Sequence, residues 1–155
     1  MTQVHPVANA ILGGWQLTGI YSFSSGSPLT FSVPGATLGN GFSTRPNLVG
    51  DLELSNPSAD LWFNPQALLA PPLYQFGNSG IGIMDGPGMH TLDLGLMKNF
   101  NLDESRYFQF RGELFNATNH VNLSNPRTDI GLAQTGRIFS SGTARQAQLG
   151  LKFYF

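Results

Sequence analysis

The chain has 155 residues, no cysteine and a formal net charge of −1, with 41% hydrophobic but only 11% charged residues. Its length admits one domain with a sizeable core, the missing cysteine removes disulfides and thiolate metal sites, and the lack of a basic cluster argues against a nucleic-acid footprint or an anionic-lipid patch. So low a charged share predicts a surface poor in charge, while no apolar run approaches the roughly 20 residues of a spanning helix, which excludes a helical membrane protein but not a barrel.

Residues 1–12, MTQVHPVANAIL, carry no basic n-region, apolar h-region or small-residue cleavage site and do not read as a signal peptide. A bacterial barrel reading therefore expects Met1 to be internal to a longer chain. The first period-two alternation covers 15–25, where Trp15, Leu17, Tyr21 and Phe23 alternate with Gln16, Thr18, Ser22 and Ser24. A long link, 26–89, follows with most of the prolines and only short apolar stretches such as Leu29 to Val33 and Pro65 to Leu69. Trp62, Phe63, Tyr74 and Phe76 fall in this link and are candidates for ligand contact, weighed against packing of the link on itself.

The second strand, 90–100, sets Leu92, Leu94, Leu96 and Phe100 opposite Thr91, Asp93, Gly95 and Asn99. Lys98 falls on its apolar face, near the end, where it is expected to snorkel to water. A tight polar turn, 101–105, leads into the third strand, 106–116, with Phe108, Phe110 and Leu114 opposite Gln109, Arg111 and Glu113. A second long link, 117–144, is rich in Asn, Ser, Thr and Gly. The fourth strand, 145–155, places Ala147, Leu149, Leu151, Phe153 and Phe155 opposite Gln146, Gln148, Gly150 and Lys152. Each strand is about eleven residues long, close to what a tilted strand needs to cross a bilayer.

One tight turn between two long links is the asymmetry of an outer-membrane barrel, whose short turns face the periplasm. The predicted architecture is an all-β antiparallel meander of about four long transmembrane strands, a C-terminal fragment of a large barrel. It puts Trp15, Phe100, Tyr107 and Phe108 at one level with Phe153 and Phe155, as a periplasmic aromatic girdle. Asp93, Arg111 and Glu113 face the lumen, with Asp93 expected opposite Arg111, because the neighbouring register sets Asp93 against Glu113. Roughly sixteen apolar side chains on the matched faces, at about 1.5 to 3 kcal/mol each, need a cover worth on the order of 25 to 50 kcal/mol. Lipid is the simplest one. The competing architecture is a soluble β-sandwich binding or adhesin module, which would need roughly seven short strands.

The terminal run Leu149, Leu151, Phe153, Phe155 resembles the C-terminal signal by which outer-membrane barrels are recognised for assembly. The segments GGWQLTGIYSFSSGSPLTF, RPNLVGD, WFNP, FGNSG, GPGMHTLDLGLMKNF, FQFRGELFNATNH and RQAQLGLKFYF, in this order, resemble the end of the Oar-like TonB-dependent receptors. That resemblance implies a 22-stranded, plugged barrel that imports a bulky nutrient. Its implied partners are outer-membrane lipid, the remainder of the parent barrel and plug, the TonB system and the barrel-assembly machinery. The family's signal peptide, regulatory-like domain, TonB box and plug are not found here, so transport by this chain alone is not expected.

No enzyme chemistry is expected, and no cofactor or metal site. Gly80, Gly82 and Gly86 match the spacing of a dinucleotide loop, but Pro87 follows where a helix should run. His5, His90 and His120 lack the close spacing of zinc ligands. No G-x-S-x-G elbow occurs, and Asn116 and Asn122, which open N-x-S/T sequons, read as loop polarity.

Overall fold

The computed structural model describes residues 11–35, 38 and 43–155; the opening ten residues, His5 among them, lie outside the described residues. Among the described residues the elements are β1 (Trp15–Ser24), β2 (Pro28–Leu29), β3 (Asn47–Leu48), a 3-10 turn (Pro65–Ala67), β4 (Leu68–Leu69), β5 (Met84–Asp85), β6 (Met89–Asn101), β7 (Tyr107–Phe115) and β8 (Gln146–Tyr154). They divide into two compact units.

The first unit is a four-stranded antiparallel sheet in the order β1-β6-β7-β8. The long strands thus neighbour one another as they occur along the chain, and β1 and β8 are its open edges. Leu94 pairs with Leu114, Leu96 with Gly112, Lys98 with Phe110 and Phe100 with Phe108. Across the next ladder Leu114 meets Ala147, Gly112 meets Leu149, Phe110 meets Leu151 and Phe108 meets Phe153. The apolar rows therefore merge into one face.

The register of β6 on β7 differs from the expected one. Asp93 is opposite neither Arg111 nor Glu113; Arg111 faces Met97 and Glu113 faces Gly95. Alternation fixes pairing only to within two residues, since every even shift keeps the same faces together. The turn decides among those shifts. Asn101 pairs with Tyr107, leaving Leu102 to Arg106 as the connection, closed by the Leu102 N–H donating to the Arg106 carbonyl at 2.9 Å. Within it the Asp103 carboxylate accepts from the backbone N–H groups of Ser105 (3.0 Å) and Arg106 (2.8 Å) and from Arg106 Nε at 2.6 Å. This cluster outweighs one cross-strand charge pair, which contributes roughly 0.2 to 1 kcal/mol.

The second unit is built from the two links, 24–89 and 122–142. Leu29, Phe31, Val33, Leu52, Phe63, Ala67, Leu68 and Ile130 form a core, with Trp62, Ile83 and Met84 packed against it. Phe31 and Phe63, both fully buried, meet edge to face at 4.9 Å. Two small sheets, β2 with β5 and β3 with β4, frame this core. Side chains alternate along Leu29, Phe31 and Val33, so one short extended segment supplies three core residues. Asn64 caps the 3-10 turn by accepting from the Gln66 N–H at 3.1 Å. Where β2 begins, a side chain on Gly26 would collide with the Gly86 carbonyl, so glycine there permits the two backbones to touch. The second link is stitched to the first by Trp62 N–H to Gly136 O (2.8 Å), Ile138 N–H to Ala59 O (2.8 Å) and Ile130 N–H to Ser32 O (2.9 Å).

The Asp103 cluster lowers that carboxyl from its ordinary 3.8 to about 2, first through the Arg106 hydrogen bond and then through the Ser105 and Arg106 N–H groups. A folded-state value below the unfolded one means that the turn's support is present above about pH 4 and is lost as pH falls through about 2. Asp103→Ala is expected to speed amide exchange at Ser105 and Arg106 at neutral pH and to remove their acid-dependent step between pH 4 and 2. Unchanged exchange at those two amides contradicts the clamp.

Candidate functional site

The most developed surface is the pair of faces on the four-stranded sheet. Both edge strands are exposed along both faces, and β6 and β7 are half-buried. Leu17 is 74% exposed and Leu149 77%, although both sit among other apolar groups. Leu17, Leu94, Leu96, Phe110, Leu114 and Leu149 line a shallow apolar hollow of about 360 Å³ on this face. Among the described residues nothing else in the sheet unit covers it.

At the end of the sheet nearest the Asp103 turn the apolar face becomes aromatic. Phe100, Phe108 and Phe153 form one row across three strands, with Phe108 and Phe153 4.8 Å apart and Phe155 stacked on Phe153 at 5.7 Å. Trp15 meets Phe110 edge to face at 6.0 Å. Tyr107 shares the level but belongs to the opposite face, where it stacks on Tyr154 at 4.4 Å. Leu149, Leu151 and Phe153 of the terminal motif all lie on the apolar face.

Lys98 corrects an expectation. It is 3% exposed and does not reach for water. Its ammonium donates to the carbonyls of Ile11 (2.9 Å) and Gly13 (2.6 Å) and lies 5.1 Å from the ring centres of both Trp15 and Phe100. The charge is thus satisfied inside an aromatic cage by backbone oxygens just before β1.

On the polar face, Asn99 accepts from Gln109 at 3.1 Å, and Arg111 is paired with Glu113 of its own strand at 3.0 Å. Asp93 stands apart from both. Its carboxylate accepts the Asn116 N–H at 2.8 Å, so its role is to cap the end of β7.

Asn116 is the residue that sequence reasoning undervalued. It is buried, with φ +49, a conformation that asparagine tolerates better than most residues. Its side chain accepts from the His120 N–H at 3.0 Å and donates to the carbonyls of His120 (2.9 Å) and Thr143 (3.2 Å). Asn119, also at positive φ, accepts the Arg145 N–H at 3.2 Å. These bonds tie the exit of β7 to the entry of β8 across a long link. His90 and His120 stack beside them, ring centres 3.5 Å apart. The available signal was the spacing of two asparagines in NATNH, at the end of a strand, where positive φ is needed.

The link aromatics separate into two pairs. Phe63 is wholly buried in the second unit's core, and Trp62 packs against that core with Nε1–H donating to the Asp85 carbonyl at 3.1 Å. Tyr74 (75% exposed, φ +64) and Phe76 (80% exposed) face solvent. Among the described residues no group of three or more His, Cys, Asp or Glu side chains is placed to hold a metal ion.

A family model described as "Outer membrane beta barrel domain" matches residues 1–148. No curated protein and no solved structure matches the chain.

Asn116→Ala is expected to cost roughly 2 to 4 kcal/mol, combining the unpaired groups left at His120 and Thr143 with strain at positive φ. Asn116→Gly should recover about 1 kcal/mol of that by relieving the strain alone. Urea unfolding of the full chain in detergent measures both; equal stability of all three proteins contradicts the assigned role.

Proposed function

The chain belongs to the family of outer membrane beta barrel domains, and from that premise we propose that it is the C-terminal barrel segment of an Oar-like TonB-dependent receptor in a Gram-negative outer membrane, importing a bulky nutrient. The observation that carries this reading is the continuous apolar face, bordered by Phe100, Phe108 and Phe153 at one end and uncovered by the other described residues of its own unit. In hydrocarbon such a face is satisfied, whereas in water it is a large exposed patch. The backbone supports the same conclusion. Two open edges leave rows of N–H and C=O groups unpaired, and each unpaired group costs several kcal/mol at membrane depth. Closure takes at least eight strands, and the four long strands among the described residues fit a larger barrel whose further strands would pair with β1 and β8.

On this proposal the role is non-enzymatic. The partners are outer-membrane lipid on the apolar face, the remaining barrel and its plug against the polar face, the assembly machinery at the terminal Phe155 motif, and the TonB system as energy source. The import step rests on the sequence resemblance to Oar-like receptors rather than on a bound ligand, and nucleic acid has no place in it.

Import driven through TonB predicts that deletion of the gene and dissipation of the proton-motive force block depletion of the same components from the medium, read by mass spectrometry of spent culture fluid. Depletion that is lost on deletion yet insensitive to the uncoupler would point to a passive pore and sink the TonB-dependent reading.

A further inference from the structure

We propose that the second unit carries a seat for an organic ammonium ion, with Trp62 as its wall and Glu53 and Asp85 as its counter-charges. A hollow of about 270 Å³ is lined by Glu53, Leu54, Pro57, Trp62, Met84 and Asp85. A second hollow of about 180 Å³ shares Glu53 and Met84 with it and adds Asp51. The indole is held in place from two sides, by packing on the core and by its Nε1–H bond to the Asp85 carbonyl. It therefore offers a fixed aromatic surface at no further ordering cost.

The charge distribution of the unit selects the ligand class. Asp60 is paired with Arg137 at 3.3 Å, and Asp129 accepts the Ser32 hydroxyl. The guanidinium of Arg127 lies 5.3 Å from the Phe139 ring centre, and that of Arg137 lies 5.8 Å from it. Among the described residues no basic side chain is paired with Asp51, Glu53 or Asp85, and these three are the carboxylates that line the two hollows. A hollow lined by Glu53 and Asp85 together with Trp62 and Met84 has the residue set of an alkylammonium site, in which aromatic and sulfur groups meet the carbon-rich shell and carboxylates offset the charge. A hard metal ion fits worse, since it asks for converging oxygen ligands. The seat does not depend on import, because binding is measured without energised uptake.

The test uses the full chain in detergent micelles and saturation-transfer NMR of choline, with 3,3-dimethylbutan-1-ol as its neutral isostere and ionic strength held constant. The expected result is transfer to the ammonium methyl groups only, saturable in the millimolar range and accompanied by a change in indole emission that Trp62→Phe abolishes. Among the described residues neither the Glu53 nor the Asp85 side chain holds a bond, so the Glu53→Gln/Asp85→Asn double variant should keep its structure and lose at least about tenfold in affinity. Equal transfer to the neutral alcohol overturns the proposal, as does unchanged ammonium affinity in the double variant.

Discussion

The ladder that joins β6 to β7, from Leu94 opposite Leu114 to Asn101 opposite Tyr107, decides which side chains share a face and at what height. A slip of one residue would scatter the leucines and phenylalanines over both faces. A slip of two would keep the faces but move Phe100 away from Phe108 and break up the aromatic row. The Asp103 cluster in the connecting turn selects the observed pairing. The β7 to β8 ladder then extends the same rows to Phe153. The apolar face, the aromatic end and the polar face all follow from that one register.

Its other end is secured differently. A two-residue hairpin fixes register by its own geometry, but β7 and β8 are joined through a link of some thirty residues that cannot do so. Asn116 and Asn119 supply what the link lacks, by bonding to the Thr143 carbonyl and the Arg145 N–H at the start of β8. Asp93 completes the arrangement from β6 by holding the Asn116 N–H. The sheet is therefore clamped by polar groups at both ends, while its middle relies on ladder bonds and apolar neighbours. The links themselves have a core of their own, in which Ile130 of the second link joins Leu29, Phe31 and Phe63 of the first.

The four long strands were legible in the sequence because each carries a period of two over about ten residues, interrupted only at positions such as Gly19, Ile20, Lys98 and Gly112. Their register was not legible, since alternation constrains it only by parity, and the charge-pairing argument for Asp93 and Arg111 gave way to turn chemistry. The second unit was hidden for a related reason. Its strands β2 to β5 are two residues each, too short to show a period, and its core draws one to three residues from each of several distant segments. Lys98 was misjudged because the carbonyls of Ile11 and Gly13 that receive it lie more than eighty residues away along the chain. Trp62 and Phe63 stood out as aromatics, but only their burial shows that Phe63 belongs to the core and that Trp62 is free to line a hollow on one side.

The central claim is that one face of this sheet meets lipid and the other faces the lumen of the barrel. Because the chain has no cysteine, single cysteines can be placed at consecutive positions along 92–100 and 147–152 and spin-labelled in the native outer membrane. Oxygen, which concentrates in lipid, and a water-soluble nickel chelate then report the surroundings of each label. The expected result is a period of two: Leu94, Leu96, Leu149 and Leu151 open to oxygen and shielded from nickel, with Asp93, Gly95, Gln148 and Gly150 showing lower oxygen access. Oxygen access at the four leucines no higher than at their neighbours would contradict the claim and place the apolar face against protein or water instead.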